Sequence, residues 1–263
     1  MDKIFVTIAP ISIYWYSVIM VVALGIGYSI AVSYSRKINY KTGDIMEMFF
    51  YLVLSGIVGA RVYYVMFNFS AYSDNLLDIF KIWEGGLAIY GAVIGGALYL
   101  FYYCLKRKVN FIKMLDIFSL SLLLGQAIGR WGNFFNGEAY GGKTTYEALK
   151  NLHLPEFIID GMYIDGFYRQ PTFLYESLWC LIGVIILYFI RKRDFDVNGK
   201  QVGFYLVWYG IGRLVIEGFR SDSLYLGSFR VSQLVSVICI GLGIFLFLFG
   251  KGFIKSNFKK VEG

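Results

Sequence analysis

Seven stretches of this chain are long enough and apolar enough to cross a bilayer, and that pattern decides the fold class before any single residue is considered. They run approximately Tyr14–Tyr34, Ile45–Phe67, Leu87–Leu105, Met114–Ile128, Phe173–Ile190, Val202–Phe219 and Val231–Gly250. A hydrocarbon core needs about 20 helical residues, with ~17 tolerated. The fourth stretch reaches that length only if its helix continues through Gly129 and Arg130. Composition agrees, because 16% of the residues are charged and 57% hydrophobic, whereas soluble domains carry roughly a quarter charged residues. The expectation is one polytopic, all-α integral membrane domain over residues 1–263. Residues 133–171 form a small head of loops within it, too short for an ordinary independent core.

The formal charge of +7 does not indicate nucleic acid, because the cations sit in short clusters between apolar runs and so report topology. One set of loops holds fifteen Lys and Arg (residues 36–41, 106–113, 191–200 and 251–260) and the opposite set eight. The richer side is expected to face the cytoplasm, which puts the N-terminus outside and the C-terminus inside. Cys104, Cys180 and Cys239 lie in separate apolar segments without paired spacing, so neither a disulfide framework nor a metal site is expected. The single histidine, His153, has no Cys, Asp or Glu at ligand spacing, and no metal is expected there.

Charges inside such a chain are the informative exceptions, since one near the bilayer centre costs roughly 2.5–3.5 kcal/mol on insertion scales. By helical rise, Arg213 lies about 16 Å up its segment from Val202, Arg61 about 24 Å from Ile45, and Arg130 about 25 Å from Lys113. Arg220 follows Arg213 by two turns. All four fall in the half of the membrane assigned to the outside. In GRLVIEGFR, Arg213, Glu217 and Arg220 share one helical face. Glu176 opens the fifth span. Pairing with Glu138, Glu176 and Glu217 as interhelical glue is the plain structural reading, and Arg61, beside Tyr63 and Tyr64, suits snorkelling. Around Arg130 and Arg213, however, arginines outnumber carboxylates. That leaves positive charge for an anion, and guanidinium forks match phosphate oxygens. A phosphate entering at the outer leaflet is most simply a phospholipid headgroup.

The densest polar stretch is GRWGNFFNGEAYG, Gly129 to Gly141, directly after the apolar LSLLLGQAI. Its glycines allow close approach of backbone N–H groups. Asn133 and Asn136 supply donors and acceptors, and its aromatic residues suit a membrane interface. Alone it could be a glycine-rich reversal with asparagines as turn residues; together with Arg213 and Arg220 it reads as a site.

At these residues the chain resembles the prolipoprotein diacylglyceryl transferase family, whose signature G-R-x-G-N-F-x-N-G-E is similar to GRWGNFFNGEAYG. YWYS, GARVYYV, EGGLAIYGAVIGG, QPTFLYE and YGIGRLVIEGFR resemble further family motifs, so the likeness covers essentially the whole chain. It implies seven spans with the N-terminus outside and no cofactor. The implied activity is transfer of a diacylglyceryl group from phosphatidylglycerol to the thiol of a lipobox cysteine in a prolipoprotein signal peptide, at the bacterial cytoplasmic membrane. It also implies that Arg130 and Arg213 handle the phosphate. Tyr16, Asn133, Glu138, Gly141 and Glu217 fall on family positions for activity or lipid binding. Arg61, Asn136, Glu176 and Arg220 complete the candidate lipid-binding set. Many members carry His-Gly-Gly where this chain has Tyr90, Gly91 and Ala92. Phenols accept protons poorly at neutral pH, so either the base lies elsewhere or Tyr90 only orients substrate. Phe173 stands where glutamine is common.

The implied chemistry asks for a deprotonated thiol and for stabilisation of the departing phosphate, which arginines in a dry site supply. Glu138 and Glu217 are expected to fix the arginine forks, with Asn133 and Asn136 on the headgroup. An anionic-lipid transporter or flippase shares the intramembrane arginines but would be expected to show matching halves, and no repeat is present. Another phospholipid headgroup transferase would share the phosphate clamp; only the long signature separates it.

Overall fold

A computed structural model describes residues 3–8, 11–38, 40–193, 198–221, 225–227 and 229–258. Among the described residues, seven helices are long and apolar enough to cross a membrane. They are α1 (Trp15–Lys37), α2 (Thr42–Phe67), α3 (Ile89–Arg107), α4 (Phe111–Asn136), α7 (Thr172–Arg193), α8 (Lys200–Ile216, continued by a 3₁₀ turn to Phe219) and α9 (Val231–Phe258). Two short helices, α5 (Tyr146–Asn151) and α6 (Glu156–Gly161), lie between α4 and α7. The protein is a multi-pass membrane protein. The fourth span needed to continue past Arg130, and α4 does so as far as Asn136.

The chain divides into two compact units, Val32–Met114 and the remainder, with the boundaries inside α1 and α4. In the Val32–Met114 unit, α2 and α3 meet along small residues four apart, Ser55 and Gly59 against Gly91 and Gly95. A Cβ on Gly59 would sit 3.0 Å from the Gly95 Cα, and one on Gly95 would sit 3.1 Å from the Gly59 Cα. Such stripes let helix backbones approach in lipid, where packing rather than the hydrophobic effect drives association.

Among the described residues, the segment joining α2 to α3 holds no α-helix. It is instead three 3₁₀ turns, Phe69–Tyr72, Leu76–Phe80 and Ile82–Glu84. Arg61, only 7% exposed, donates through Nε to the Ile79 carbonyl (2.8 Å) and through its two terminal nitrogens to the carbonyls of Asp78 (2.7 Å), Lys81 (3.4 Å), Gly85 (2.7 Å) and Gly86 (3.1 Å). A carbonyl can accept twice, and that of Asp78 also accepts from the Lys81 N–H at 3.1 Å, closing a 3₁₀ turn. Arg61 therefore neither snorkels nor keeps a donor for a lipid; it organises this loop.

In the larger unit, α7 and α8 pair Glu176 with Arg213, Trp179 with Trp208 and Arg191 with Gln201, so they run antiparallel. Trp179 and Trp208 each donate an indole N–H to the other's backbone carbonyl, both at 2.9 Å, with rings stacked at 4.4 Å. Gly183 and Gly212 leave the space these rings fill. At the other end of α8, the fully buried Asp116 of α4 accepts from the N–H groups of Gly199 (2.7 Å) and Val202 (2.8 Å). A carboxylate here satisfies the unpaired N–H groups of a helix start and matches its dipole. α8 is thus held at both ends, which sets the height at which Arg213 emerges.

The head contains α5, α6 and a three-stranded antiparallel sheet in the order β3 (Lys143–Thr144), β5 (Phe167–Arg169), β4 (Tyr163–Ile164). Its core joins Leu149, Ile158, Ile159 and Met162 to Phe134 of α4 and Phe173 of α7. A segment too short to bury its own apolar surface borrows from two spanning helices. Phe173 is committed to this core, stacked on Phe134 at 4.6 Å. Two further antiparallel pairings carried no recognised sequence signal: β1 (Ile4–Ile8) with β2 (Ile11–Tyr14), and β6 (Tyr225–Leu226) with β7 (Phe229–Arg230).

Candidate active site

The signature stretch forms the last two turns of α4 and the reversal that follows. The chain leaves the helix through Gly137 (φ 64°) and Ala139 (φ 58°). A positive φ at alanine is strained, and it is held by a 2.6 Å hydrogen bond from the Thr172 hydroxyl to the Ala139 carbonyl. Beyond it, Gly141 donates to the Gln170 carbonyl (2.9 Å), Gln170 donates back to Gly142 (3.0 Å), and Gly142 donates to Phe219 (3.1 Å). Gly141 also forms an isolated bridge with Arg220. The reversal is therefore laced to the starts of α7 and the end of α8.

Gly141 must be glycine for reasons of space. A Cβ there would lie 2.8 Å from the Gln170 Cβ, 3.0 Å from the Thr172 Cγ2 and 3.1 Å from the Phe219 oxygen. Gly141→Ala is expected to destabilise the protein by about 1–3 kcal/mol, as overpacking does, read as a lowered unfolding midpoint in detergent. An unchanged midpoint would mean that the lacing yields freely.

Around this scaffold the charged side chains converge. Glu176, at the start of α7 and 4% exposed, pairs through Oε2 with Arg130 of α4 (2.5 Å) and through Oε1 with Arg213 of α8 (2.8 Å). Arg213 also pairs with the buried Glu217 one turn later and donates to the Ser232 hydroxyl at 3.3 Å. Arg220 stands 3.9 Å from Glu176 and 4.0 Å from Glu217. Arg130 donates to Asn133 (3.4 Å), and Glu138 accepts from both Asn133 (3.4 Å) and Asn136 (3.0 Å). Tyr16, near the start of α1, lies with its ring against Gly132, and Trp15 stacks on Phe135 at 5.1 Å.

Arg130, Arg213, Arg220, Glu176, Glu217, Asn133, Asn136, Glu138 and Gly141 thus belong to one assembly around the ends of α4, α7 and α8. Its internal roles differ from the expected ones. Glu138 does not fix an arginine fork; it gathers the two asparagines, because the tight turn at Gly137 folds it back over the α4 terminus. The carboxylate that joins the two principal arginines is Glu176, on a third helix. Arg61 and Tyr90 belong to the other unit, where Tyr90 lies beside Tyr63 at 6.4 Å and Arg61 is spent on loop carbonyls.

Sequence reading missed Ser232 and Arg230. Arg230 donates to the Glu217 carbonyl and to the Tyr225 hydroxyl (3.1 Å), so β7, directly before α9, braces the end of α8. Its position just before an apolar run signalled only topology.

Chemically, three guanidinium groups (130, 213 and 220) meet two carboxylates (176 and 217) at the ends of apolar helices. Charge–charge interactions are stronger in such a place than in water. The excess is positive, and the guanidinium planes are held by partners before any ligand arrives. That is the preorganisation an anion-stabilising site requires.

Residues 3–249 match the family model described as prolipoprotein diacylglyceryl transferase. The chain is 45% identical over 249 residues to the phosphatidylglycerol–prolipoprotein diacylglyceryl transferase of Listeria innocua serovar 6a, covering 95% of this chain and 90% of that protein. It is 46% identical to the protein of the same name from Streptococcus suis, covering 94% and 91%. For that of Halalkalibacterium halodurans the identity is 45%, covering 91% and 83%.

Proposed function

The chain belongs to the prolipoprotein diacylglyceryl transferase family, and from that premise we propose how its arginine assembly serves the reaction. The protein is a transferase that moves the diacylglyceryl group of phosphatidylglycerol to a prolipoprotein. In our reading the acceptor atom is the thiol of the lipobox cysteine, and the assembly faces the outer leaflet of the bacterial cytoplasmic membrane. The carrying observation is that Arg130 and Arg213, from two different spans, meet on the two oxygens of Glu176.

The reaction is a substitution at the glyceryl CH₂ that bears the phosphate. The sulfur of the substrate cysteine forms the new C–S bond, its proton leaving to a base. The C–O bond to the phosphodiester breaks with its electrons, and glycerol phosphate departs. Charge grows on the leaving phosphate oxygen, so donors aimed there lower the barrier. Arg130 and Arg213 take that role. Glu176 and Glu217 hold their planes, which frees the reaction from the cost of orienting them. Asn133 and Asn136, ordered by Glu138, present amide donors to the headgroup. Arg220, at longer range, adds positive potential. Free thiols are only a few per cent ionised near neutral pH, so local positive charge also favours the thiolate.

The direct test supplies purified protein in detergent with phosphatidylglycerol and a lipobox peptide. The expected product is the peptide heavier by one diacylglyceryl group. A peptide that never gains mass, while lipid is moved across vesicle membranes, would replace this reading with transport.

A second expectation concerns the protein's own thiols. Cys104, Cys180 and Cys239 are free, and the nucleophile belongs to the substrate. The triple Cys→Ala variant is therefore expected to keep wild-type turnover per folded molecule. Loss of turnover in a well-folded variant would put a protein thiol on the reaction path.

A further inference from the structure

Beneath the arginine assembly runs a polar seam that the phosphate chemistry does not use. On α8, Tyr205 and Tyr209 precede Arg213 at intervals of four residues, so the three share one face. Their phenol rings are stacked 6.0 Å apart and within 9° of parallel. On α4, Gln126 stands one turn before Arg130 on the same face. The two stripes meet where the Gln126 amide Nε2 donates to the Tyr205 hydroxyl at 2.9 Å. The Gln126 Oε1 is buried and accepts from no group.

Such a pair is costly among apolar helices, where polar groups are expected to be fully partnered. Here the pairing is incomplete in either arrangement. With Nε2 donating, the phenol keeps its own O–H to give. A half-turn of the amide lets the phenol donate to Oε1 and leaves the Nε2 hydrogens to give instead. Either arrangement leaves at least one donor hydrogen over, and the first also leaves the buried Oε1 without a hydrogen to accept.

Its depth identifies the acceptor. Gln126 lies about 6 Å along α4 from Arg130, on the side away from the polar reversal. In a glycerophospholipid the acyl ester carbonyls hang from the same glycerol unit as the phosphate, a few bonds deeper toward the chains. An ester carbonyl has no hydrogen to give and needs a donor, which is what the pair offers.

We propose that Tyr205 and Gln126 form a subsite that receives an acyl ester carbonyl of the donor lipid while its phosphate lies against Arg130 and Arg213. The proposal rests on the transferase reading above and assigns the pair to lipid recognition, with no part in bond making. The subsite selects ester-linked over ether-linked chains and fixes how far the glyceryl unit sits beneath the arginines.

The experiment compares phosphatidylglycerol carrying two ester-linked chains with the analogue carrying the same chains in ether linkage. Purified protein and a lipobox peptide are used in mixed micelles. Wild type is expected to favour the diester by about tenfold in kcat/KM, the scale of one desolvated hydrogen bond. The double variant Tyr205→Phe with Gln126→Met removes both donors together and replaces a buried polar pair by apolar groups of similar shape, a change that folding tolerates well. In it the diester preference is expected to fall to near unity. Each single variant leaves one potential donor and is expected to retain part of the preference.

A wild-type enzyme indifferent to the linkage overturns the proposal, and so does a double variant that keeps the tenfold ratio. A preserved ratio with weaker peptide binding would assign the pair to the acceptor substrate and overturn it as well. If neither lipid donates to the peptide in wild type, the transferase reading itself fails, which is a separate result.

Discussion

Glu176→Gln is expected to be the most damaging single exchange of a charged residue in this protein. The carboxylate is almost fully buried and pairs with Arg130 at 2.5 Å and Arg213 at 2.8 Å, with Arg220 at 3.9 Å. Glutamine keeps the volume and one acceptor oxygen but removes the negative charge. Two guanidinium groups then face each other without an anion between them. At an effective dielectric near 20, like charges ~4 Å apart repel by about 4 kcal/mol. Removing one partner of a buried pair typically costs about 3–5 kcal/mol. The variant is expected to unfold at a clearly lower temperature in detergent and to lose at least ~100-fold in transfer rate, since both fork orientations go at once. Phosphatidylglycerol is expected to raise its unfolding midpoint more than that of wild type, because the lipid phosphate supplies the missing anion to the folded state alone. Adding Arg130→Gln should recover part of the lost stability, as coupled sites do. A Glu176→Gln protein with wild-type stability and turnover would mean that the three helices do not depend on this contact.

What could be read from the residues alone follows from the range of the interactions involved. The seven spans were visible because the need for about 20 apolar residues is a local property, and even the doubtful fourth span could be completed by rule. The Arg213, Glu217 and Arg220 stripe was visible because helical spacing fixes which side chains share a face. Glu176 as the joining carboxylate was not visible. Its role depends on how α7 stands against α4 and α8, and the Trp179–Trp208 clasp and the Asp116 cap that set this contain no spacing signal. Arg61 misled for a related reason. An intramembrane arginine looks the same in sequence whether it meets a phosphate or five backbone carbonyls, and carbonyls carry no sequence signature. The head's core takes Phe134 and Phe173 from spanning helices, residues that a segment-by-segment reading assigns elsewhere.

Arg213→Lys separates geometry from charge. Through its two terminal nitrogens Arg213 reaches three partners on two other elements and its own: Glu176 at 2.8 Å, the Ser232 hydroxyl at 3.3 Å, and Glu217. A lysine keeps the charge but has one nitrogen, on a flexible stem, and cannot present the planar fork that spans those partners and still faces a phosphate. The expected result is a fall of about 10²–10³-fold in transfer rate, the scale of losing a preorganised donor. The fall should appear mainly in kcat, because charge growing on the leaving phosphate is felt in the transition state more than in the bound lipid. Arg220→Lys supplies the contrast. Its carboxylate contacts, at 3.9 and 4.0 Å, are longer than those of Arg213, and charge acting over that range survives in lysine, so Arg220→Lys is expected to keep transfer within about tenfold of wild type. Equal losses in the two variants would make both arginines contributors of potential. Near-normal turnover in Arg213→Lys would remove the fork from the mechanism, because a single ammonium would then be enough to carry the departing phosphate.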